Sequence, residues 1–492
     1  MNRRAASETH DEILWLGGMT AVFLAVNLLT ASRYPLPWVD ELQFADAAVN
    51  LNLGKGFTSS VWIAQTSDAF WAGNTPLYTG LLSLWLAVFG ISAEAVRSLN
   101  FVLMSGIVWL VWQFARTTRL VLKPGYRLLL ALLLFTGHAL SFSFRMGRYD
   151  VLGMLLFALA ALAWIGPTGW RQWLLLAAPA ALAPFAGLQL LPASVLYCGL
   201  LFLFQGRTAV PKGAAIGAGL AVGIVGLYAF YASHGVWEGF RASTSAVGVI
   251  GQGLLGKLRD LPRVYTADKS SLFLFAAALA LVAARGRNAL RRGPLEFGLA
   301  AFLAIPACLQ LAAKFPIYYA WMVYGPLAVG VTATLANDAP PLALPARAFA
   351  LAGIAAACLV GLPARLVGVG LLWPSRDPAL AAEYVAGHIA PGDVVLGDFK
   401  AYYAVKGRAA GFFAPTYLGI MRPEEKAAVT ALLLKEEDLA RARQSLGGDW
   451  HEAGPAFPAG RVEPGLVHKL MREFADENYA LHLYRRAAGE VR

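Results

Sequence analysis

Residues 34–57 read YPLPWVDELQFADAAVNLNLGKGF, and residues 73–90 read GNTPLYTGLLSLWLAVFG. Asp40 and Glu41 lie a few residues past an apolar run at about 12–31, whose roughly 20 residues are long enough to cross a bilayer. The pair therefore stands where membrane meets water. Acidic side chains beside lipid are costly and are kept for proton transfer, metal ligation or a substrate cation. The plainer alternative is that they open an interfacial helix, whose N-terminal end favours negative charge. The second stretch starts at Pro76 and ends at Gly90, too short for a span. It reads as an interfacial helix packed under the first loop.

Composition sets the class. The chain of 492 residues is 58% apolar and 14% charged, with a mean hydropathy of +0.55, whereas a soluble protein carries about a quarter charged residues. This is the composition of a polytopic membrane protein. The three cysteines, Cys198, Cys308 and Cys358, all fall in apolar segments without a CxxC pattern, so neither a disulfide framework nor a thiolate zinc site is supported. The first apolar run lacks a small-x-small cleavage site and reads as a retained helix.

The net charge of +11 becomes informative once divided. Residues 376–492 hold 15 Lys+Arg and 16 Asp+Glu, and residues 1–375 hold 26 and 14. The basic excess belongs to the apolar part and reports topology and lipid phosphate, not nucleic acid. Further apolar stretches lie at about 95–115, 127–143, 149–165, 172–186, 188–205, 213–231, 271–285, 295–312, 319–336 and 346–371, giving about 11–13 spans. With a cytoplasmic N-terminus, the inside loops carry 14 Lys+Arg close to helix ends. The first loop (32–94), the loop 232–270 and the tail then lie outside. The charged tail 376–492 reads as a small α/β domain: AEYVAGHIA as helix, DVVLGD as a buried strand, and PEEKAAVTALLLKEEDLARARQSL as an amphipathic helix. It contains no phosphate-binding glycine motif, HExxH or GxSxG.

The outside loops collect an unusual polar set. Asp40, Glu41 and Asp46 occur in the first, Arg145, Arg148 and Asp150 in FRMGRYD, and Lys314, Tyr318 and Tyr319 in KFPIYY. The long fourth loop adds Arg241, Lys257, Arg259 and Arg263. Adjacent residues diverge by about 100° on a helix, so only one of Asp40 and Glu41 can face a central cavity. Asp150 is open to two readings, helix capping or ion pairing on one side and substrate contact on the other. Outward basic residues oppose the positive-inside trend, and a lipid phosphate is their natural partner through charge-assisted hydrogen bonds. Headgroup snorkelling is the alternative for the fourth loop. His138 and His234 stand alone in the sequence and read as structural.

These residues carry a resemblance. The first loop, with the DE pair, an acidic residue five positions later, a Pro-Leu-aromatic helix ending in Phe-Gly and an Ala-x-Arg before the second span, resembles the GT-C superfamily of membrane glycosyltransferases. It is most similar to the bacterial relatives of the protein O-mannosyltransferases and to the aminoarabinose transferases of lipid A. The positions are Asp40, Glu41, Asp46, Pro76, Leu77, Tyr78, Phe89, Gly90, Ala95 and Arg97. RYDVLGMLLFALAALAW resembles the family's Arg-x-Asp helix start, giving Arg148 and Asp150. KFPIYYAWMVYGPLAV resembles its late basic-aromatic element, giving Lys314, Tyr319 and Pro326. The likeness covers about residues 12–336.

The resemblance implies the GT-C fold and an inverting transfer of sugar from a polyprenyl-phosphate donor to a lipid, glycan or protein acceptor, on the outer face of a bacterial inner membrane. Asp40 takes the place of the catalytic base. Glu41, Asp46, Asp150 and Tyr319 orient substrates, while Arg148, Lys314, Arg241, Arg259 and Arg263 hold the donor phosphate. No cofactor is assigned, and Asp40 and Glu41 are the candidate ligands of a divalent metal. Family members often carry an acid and a Lys just before the interfacial Pro, where this chain has Asn74 and Thr75. That departure implies a site with one metal ligand fewer and a phosphate held from elsewhere. Two other readings remain: a flippase of polyprenyl-linked sugars, which calls for internal repeats and mid-span charges, and a non-catalytic envelope scaffold.

Overall fold

The computed structural model describes residues 3–247, 253–285, 293–312, 315–337, 342–455 and 479–487. The first apolar run lies in helix α1 (Arg3–Leu29), on which Leu14, Trp15, Val22 and Leu29 stay exposed. Large apolar side chains left open along a helix are stable against lipid and mark a membrane protein. The DE pair begins α2 (Val39–Asn52). The short apolar stretch forms α3 (Pro76–Phe89), with Pro76 in its first turn and Gly90 at its C-cap.

Each expected apolar stretch is helical. The bundle continues with α4 (Ala93–Thr117), α5 (Pro124–Thr136), α6 (His138–Arg145), α7 (Asp150–Trp164), α8 (Trp170–Ala186), α9 (Leu190–Gln205) and α10 (Val210–Ser233). After α11 (Trp237–Val247) and α12 (Leu254–Thr266) come α13 (Lys269–Arg285), α14 (Pro294–Ala312), α15 (Trp321–Ala336), α16 (Leu344–Leu359) and α17 (Leu362–Leu371). Four stretches of described helix are long and apolar enough to cross a membrane, or seven if each bent pair counts as one span. That is fewer than the 11–13 expected from hydropathy. Helices α7 and α15 are apolar but only 15 and 16 residues long, below the roughly 20 that a span needs. The bent pairs are α5–α6 at 50°, α12–α13 at 81° and α16–α17 at 41°.

Buried polar groups fix the ends of α1. Glu12 accepts from Trp112 Nε1 at 2.5 Å and from Arg127 Nε at 2.7 Å. At the other end the wholly buried Arg145 donates to Asn27 Oδ1 at 2.5 Å, Thr30 O at 2.9 Å and Tyr34 O at 2.7 Å. Such groups are tolerated only when every donor and acceptor is matched.

The C-terminal part is a five-stranded sheet with helices. After α18 (Pro378–His388) come β1 (Val394–Gly397), α19 (Tyr402–Lys406), β2 (Gly411–Phe413), α20 (Pro423–Ala428), β3 (Ala431–Leu434), α21 (Glu436–Leu446), β4 (Trp450–Glu452) and β5 (His482–Arg486). The order is β2-β1-β3-β5-β4, with β1 parallel to β2 and β3, and β5 antiparallel to β3 and β4. The single amphipathic helix expected over 423–446 is therefore corrected to helix, strand, helix. Its Ala431–Leu434 core is buried on both faces, a pattern of a central parallel strand that helical periodicity reads as one apolar stripe.

This sheet domain is seated on the first loop. Edge strand β2 is covered there: Ser60 Oγ donates to Phe412 O at 2.5 Å, and Ala414 N donates to Ser60 O at 3.2 Å. Covering an edge removes a row of unpaired backbone groups. Arg33 pairs with Asp377 at 2.9 Å, and Arg422 with Asp68 at 2.8 Å.

Candidate active site

Helix α2 carries three carboxylates, and its surroundings separate them. Asp40 is the partly open one, with 24% of its side chain exposed, and its Oδ2 accepts from Arg148 Nη1. Arg148 is buried and also donates through Nε to Asp150 Oδ2 at 2.7 Å. The Tyr318 ring lies 3.7 Å from the Arg148 guanidinium carbon, close enough for a cation–π contact. Two carboxylates thus share one guanidinium, leaving the local balance at −1.

The chain segment bearing Arg148 is held in place from three sides. Trp38 Nε1 donates to Met146 O at 3.1 Å, and Asn100 Nδ2 to Arg148 O at 2.9 Å. Gly147 has φ +61°, and a Cβ there would lie 2.6 Å from Glu41 Cγ. Only glycine meets both the left-handed turn and the close approach. The DE pair and the RYD segment are therefore packed directly against each other.

Glu41 points the other way. It is wholly buried, accepts from Arg97 Nε at 2.9 Å and Nη2 at 2.5 Å, and takes a third bond from Tyr403 Oη at 2.7 Å. Burial pushes its carboxyl above the ordinary range, against the pull of Arg97 and Tyr403. Asp46 is also wholly buried. It accepts from Ser59 Oγ, Ser60 N, Tyr402 Oη and Lys406 Nζ at 2.9, 2.8, 2.6 and 2.6 Å. Both acids are engaged by α19 of the sheet domain.

The structure brings Asp40, Arg148 and Asp150 together, with Tyr318 beside them. Asp150 is the first residue of α7, with no side-chain cap bond, and binds Arg148 instead. Tyr319 is buried in the turn after Tyr318. Lys314 lies outside the described residues. Arg241 and Arg263 are exposed and paired within their own helices, to Glu238 at 3.0 Å and Asp260 at 3.6 Å, and Arg259 is exposed on α12. Among the described residues, no group of three or more His, Cys, Asp or Glu side chains is placed to hold a metal ion. Asp40 and Glu41 do not form a common donor set, since each faces a different guanidinium. Asn74 Oδ1 accepts from Thr75 N at 2.7 Å, just ahead of α3.

Sequence reasoning missed Tyr402, Tyr403 and Lys406. Their signal was the AYYAVK segment after the first strand, two aromatic hydroxyls and a lysine on one short helix. His138 and His234, alone in the sequence and read as structural, each have a neighbour in the fold. His138 Nδ1 lies 3.0 Å from Asp268 Oδ1, and His234 stacks on Phe70 with ring centroids 4.0 Å apart.

Within the bundle lies an apolar cavity of about 500 Å³ between α4, α7, α8, α9, α14 and α15. Gly153, one turn along α7 from Asp150, and Trp321 line one end, while Phe114, Gln205 and Pro294 line the other. It runs along the bundle, and its walls are almost wholly hydrocarbon.

Two crystal structures of ArnT from Cupriavidus metallidurans, one bound to undecaprenyl phosphate and one in the apo state, superpose over 96% of this chain and 98% of theirs. Each has a TM-score of 0.59 at 12% identity. The chain has the GT-C glycosyltransferase fold. A cryo-EM structure of the arabinofuranosyltransferase AftD from Mycobacteria aligns with 96% of this chain and 40% of its own, at 16% identity and a TM-score of 0.48. No family model matches the sequence, and no curated protein matches it. In this chain the first loop is the seat of the sheet domain.

Proposed function

We propose that this GT-C protein is an inverting glycosyltransferase that moves a sugar from a polyprenyl-phosphate donor to a lipid, glycan or protein hydroxyl. The reaction takes place on the outer face of a bacterial cell membrane, with the N-terminus cytoplasmic and the sheet domain outside. The observation that carries this reading is Asp40: a partly exposed carboxylate held by a buried arginine, whose other partner Asp150 starts the helix that also lines a long apolar cavity from Gly153 onward. A general base needs an accessible oxygen and a fixed direction, and Arg148 gives that direction while leaving Oδ1 open.

In the transfer the acceptor oxygen attacks the anomeric carbon from the face opposite the phosphate. The bond between that carbon and the phosphate oxygen breaks, and polyprenyl phosphate leaves with the electron pair. The acceptor proton passes to Asp40. Arg148 is engaged by two carboxylates, so its contribution is to orient Asp40. Lys314 is the candidate for direct phosphate contact, since it stands four residues before Tyr318, whose ring covers Arg148. Asp150 with the rings of Phe44 and Tyr149 completes the wall around that guanidinium, and Tyr319 is the candidate to orient substrate beside it. The cavity suits part of a polyprenyl chain, being apolar and elongated. The solved ArnT bound to undecaprenyl phosphate supports this donor class.

The test is transfer by the purified protein in nanodiscs, with a panel of undecaprenyl-phosphoryl pentoses and hexoses as donors and membrane lipids, envelope glycans and proteins as acceptors. Release of undecaprenyl phosphate matched by a glycosylated product is the expected result. Full transfer by Asp40→Asn overturns Asp40 as base, and movement of intact donor across the bilayer without transfer overturns the enzyme reading.

A further inference from the structure

We infer that α19 of the sheet domain is a positioning latch for the catalytic helix, with Tyr403, Tyr402 and Lys406 setting the rotation of α2 that turns Asp40 toward Arg148. The inference rests on the transferase reading above and adds a role for residues outside the membrane part. Tyr403 reaches Glu41, and Tyr402 with Lys406 reaches Asp46. Neighbouring residues on a helix point about 100° apart, so two adjacent tyrosines can engage two different carboxylates. Tyr402 and Lys406 are four apart and share a face, which explains why both meet Asp46.

Glu41 and Asp46 are five residues apart on α2, about 7.5 Å along its axis. One anchor would leave a helix free to roll about the contact. Two anchors on different sides fix both roll and height. Asp40 sits next to the first anchor, so a small roll would move its carboxylate out of the direction of Arg148 Nη1. Glu41 also lies against Gly147, the residue before Arg148. The latch therefore registers the base and its orienting arginine at once. Burial and the Glu41 charge hold the Tyr403 hydroxyl well above its ordinary pKa, and burial and Asp46 do the same for Tyr402, so both stay hydrogen-bond donors over the working pH range. The groups facing Glu41 are Arg97 from α4 and Tyr403 from α19. Those facing Asp46 are Tyr402 and Lys406 from α19 with Ser59 and Ser60 of the first loop.

The experiment is a comparison of Tyr403→Phe, Lys406→Met, Lys406→Arg and Asp393→Asn in the full-length protein in nanodiscs. Turnover is measured per folded molecule with the undecaprenyl-phosphoryl sugar that the wild type accepts. A displaced base costs turnover, so Tyr403→Phe is expected to lower kcat on the order of 10-fold or more with the donor KM unchanged. Lys406→Met is expected to behave alike, and Lys406→Arg to restore most of the loss. Asp393→Asn weakens the same domain far from α2, at the Arg485 pair, and is expected to lower the unfolding temperature while kcat stays put. Wild-type kcat in Tyr403→Phe, beside an inactive Asp40→Asn, overturns the latch and leaves the transferase reading intact. If Tyr403→Phe does not fold, the lysine pair decides: equal turnover in Lys406→Met and Lys406→Arg overturns the latch. Absence of transfer by the wild type removes both readings.

Discussion

The two sides of α2 differ more than their sequence suggests. One side presents Asp40, partly exposed and bound to an arginine that another acid also claims. The rest of the helix surface presents Glu41 and Asp46, on different faces from each other, each wholly buried and between them held by donors from the bundle, the first loop and the sheet domain. Acids of one helix thus stand in opposite surroundings: one carboxylate left partly open, two closed. Burial with full pairing makes a group structural, and accessibility with one-sided pairing leaves it reactive.

The largest expected effect falls on the open side. Asp40→Asn keeps the shape and a hydrogen-bonding oxygen but removes the basic one, and general-base loss costs about 10²- to 10⁴-fold in rate. Transfer kinetics beside an unchanged thermal unfolding curve check this. A comparable loss of folded protein instead would mean that Asp40 belongs with the closed side.

On the closed side the expected loss is one of stability. Arg97 is wholly buried and donates to Glu41 and to Pro35 O at 2.6 Å. Arg97→Met strands a buried carboxylate and is expected to cost about 3–5 kcal/mol. Chemical denaturation in detergent measures it. The double variant Arg97→Met, Glu41→Leu replaces the pair by hydrocarbon and is expected to regain most of that stability. It also removes the oxygen that Tyr403 reaches, so turnover should stay low when stability has returned. Recovery of both together would erase the distinction between the two sides.

Much of this contrast was legible in the sequence and some was not. Hydropathy located the bundle, and the acidic pair after the first apolar run located the candidate site. Helical geometry required that Asp40 and Glu41 diverge. It could not say what Glu41 diverges toward, because Tyr403 lies 362 residues away and no periodicity links the two. The misread stretch 423–446 has the same cause. An apolar core of four residues fits a helix face or a buried strand, and only its neighbours β1 and β5 decide between them. The arginines at 241, 259 and 263 were grouped by charge, whereas the structure leaves them exposed on α11 and α12.

The smallest expected effect falls inside the sheet domain, away from the latch residues. Asp393 is buried at the strand start and pairs with Arg485 at 2.9 Å. Burial alone would raise its pKa, but bonds from Arg485, the Ala390 amide and the Thr430 hydroxyl outweigh it and hold the carboxyl below the usual range. An acid with a lowered folded pKa contributes stability above its unfolded value, near 3.9, and loses it as pH falls through the lower folded value. Wild-type stability is therefore expected to fall on acidification below about pH 4. Asp393→Asn removes that part of the slope while leaving the rest, since the amide does not titrate. Thermal unfolding followed from pH 6 down to pH 2 checks the difference. If the two proteins keep parallel curves, the Asp393–Arg485 pair does not hold the sheet together.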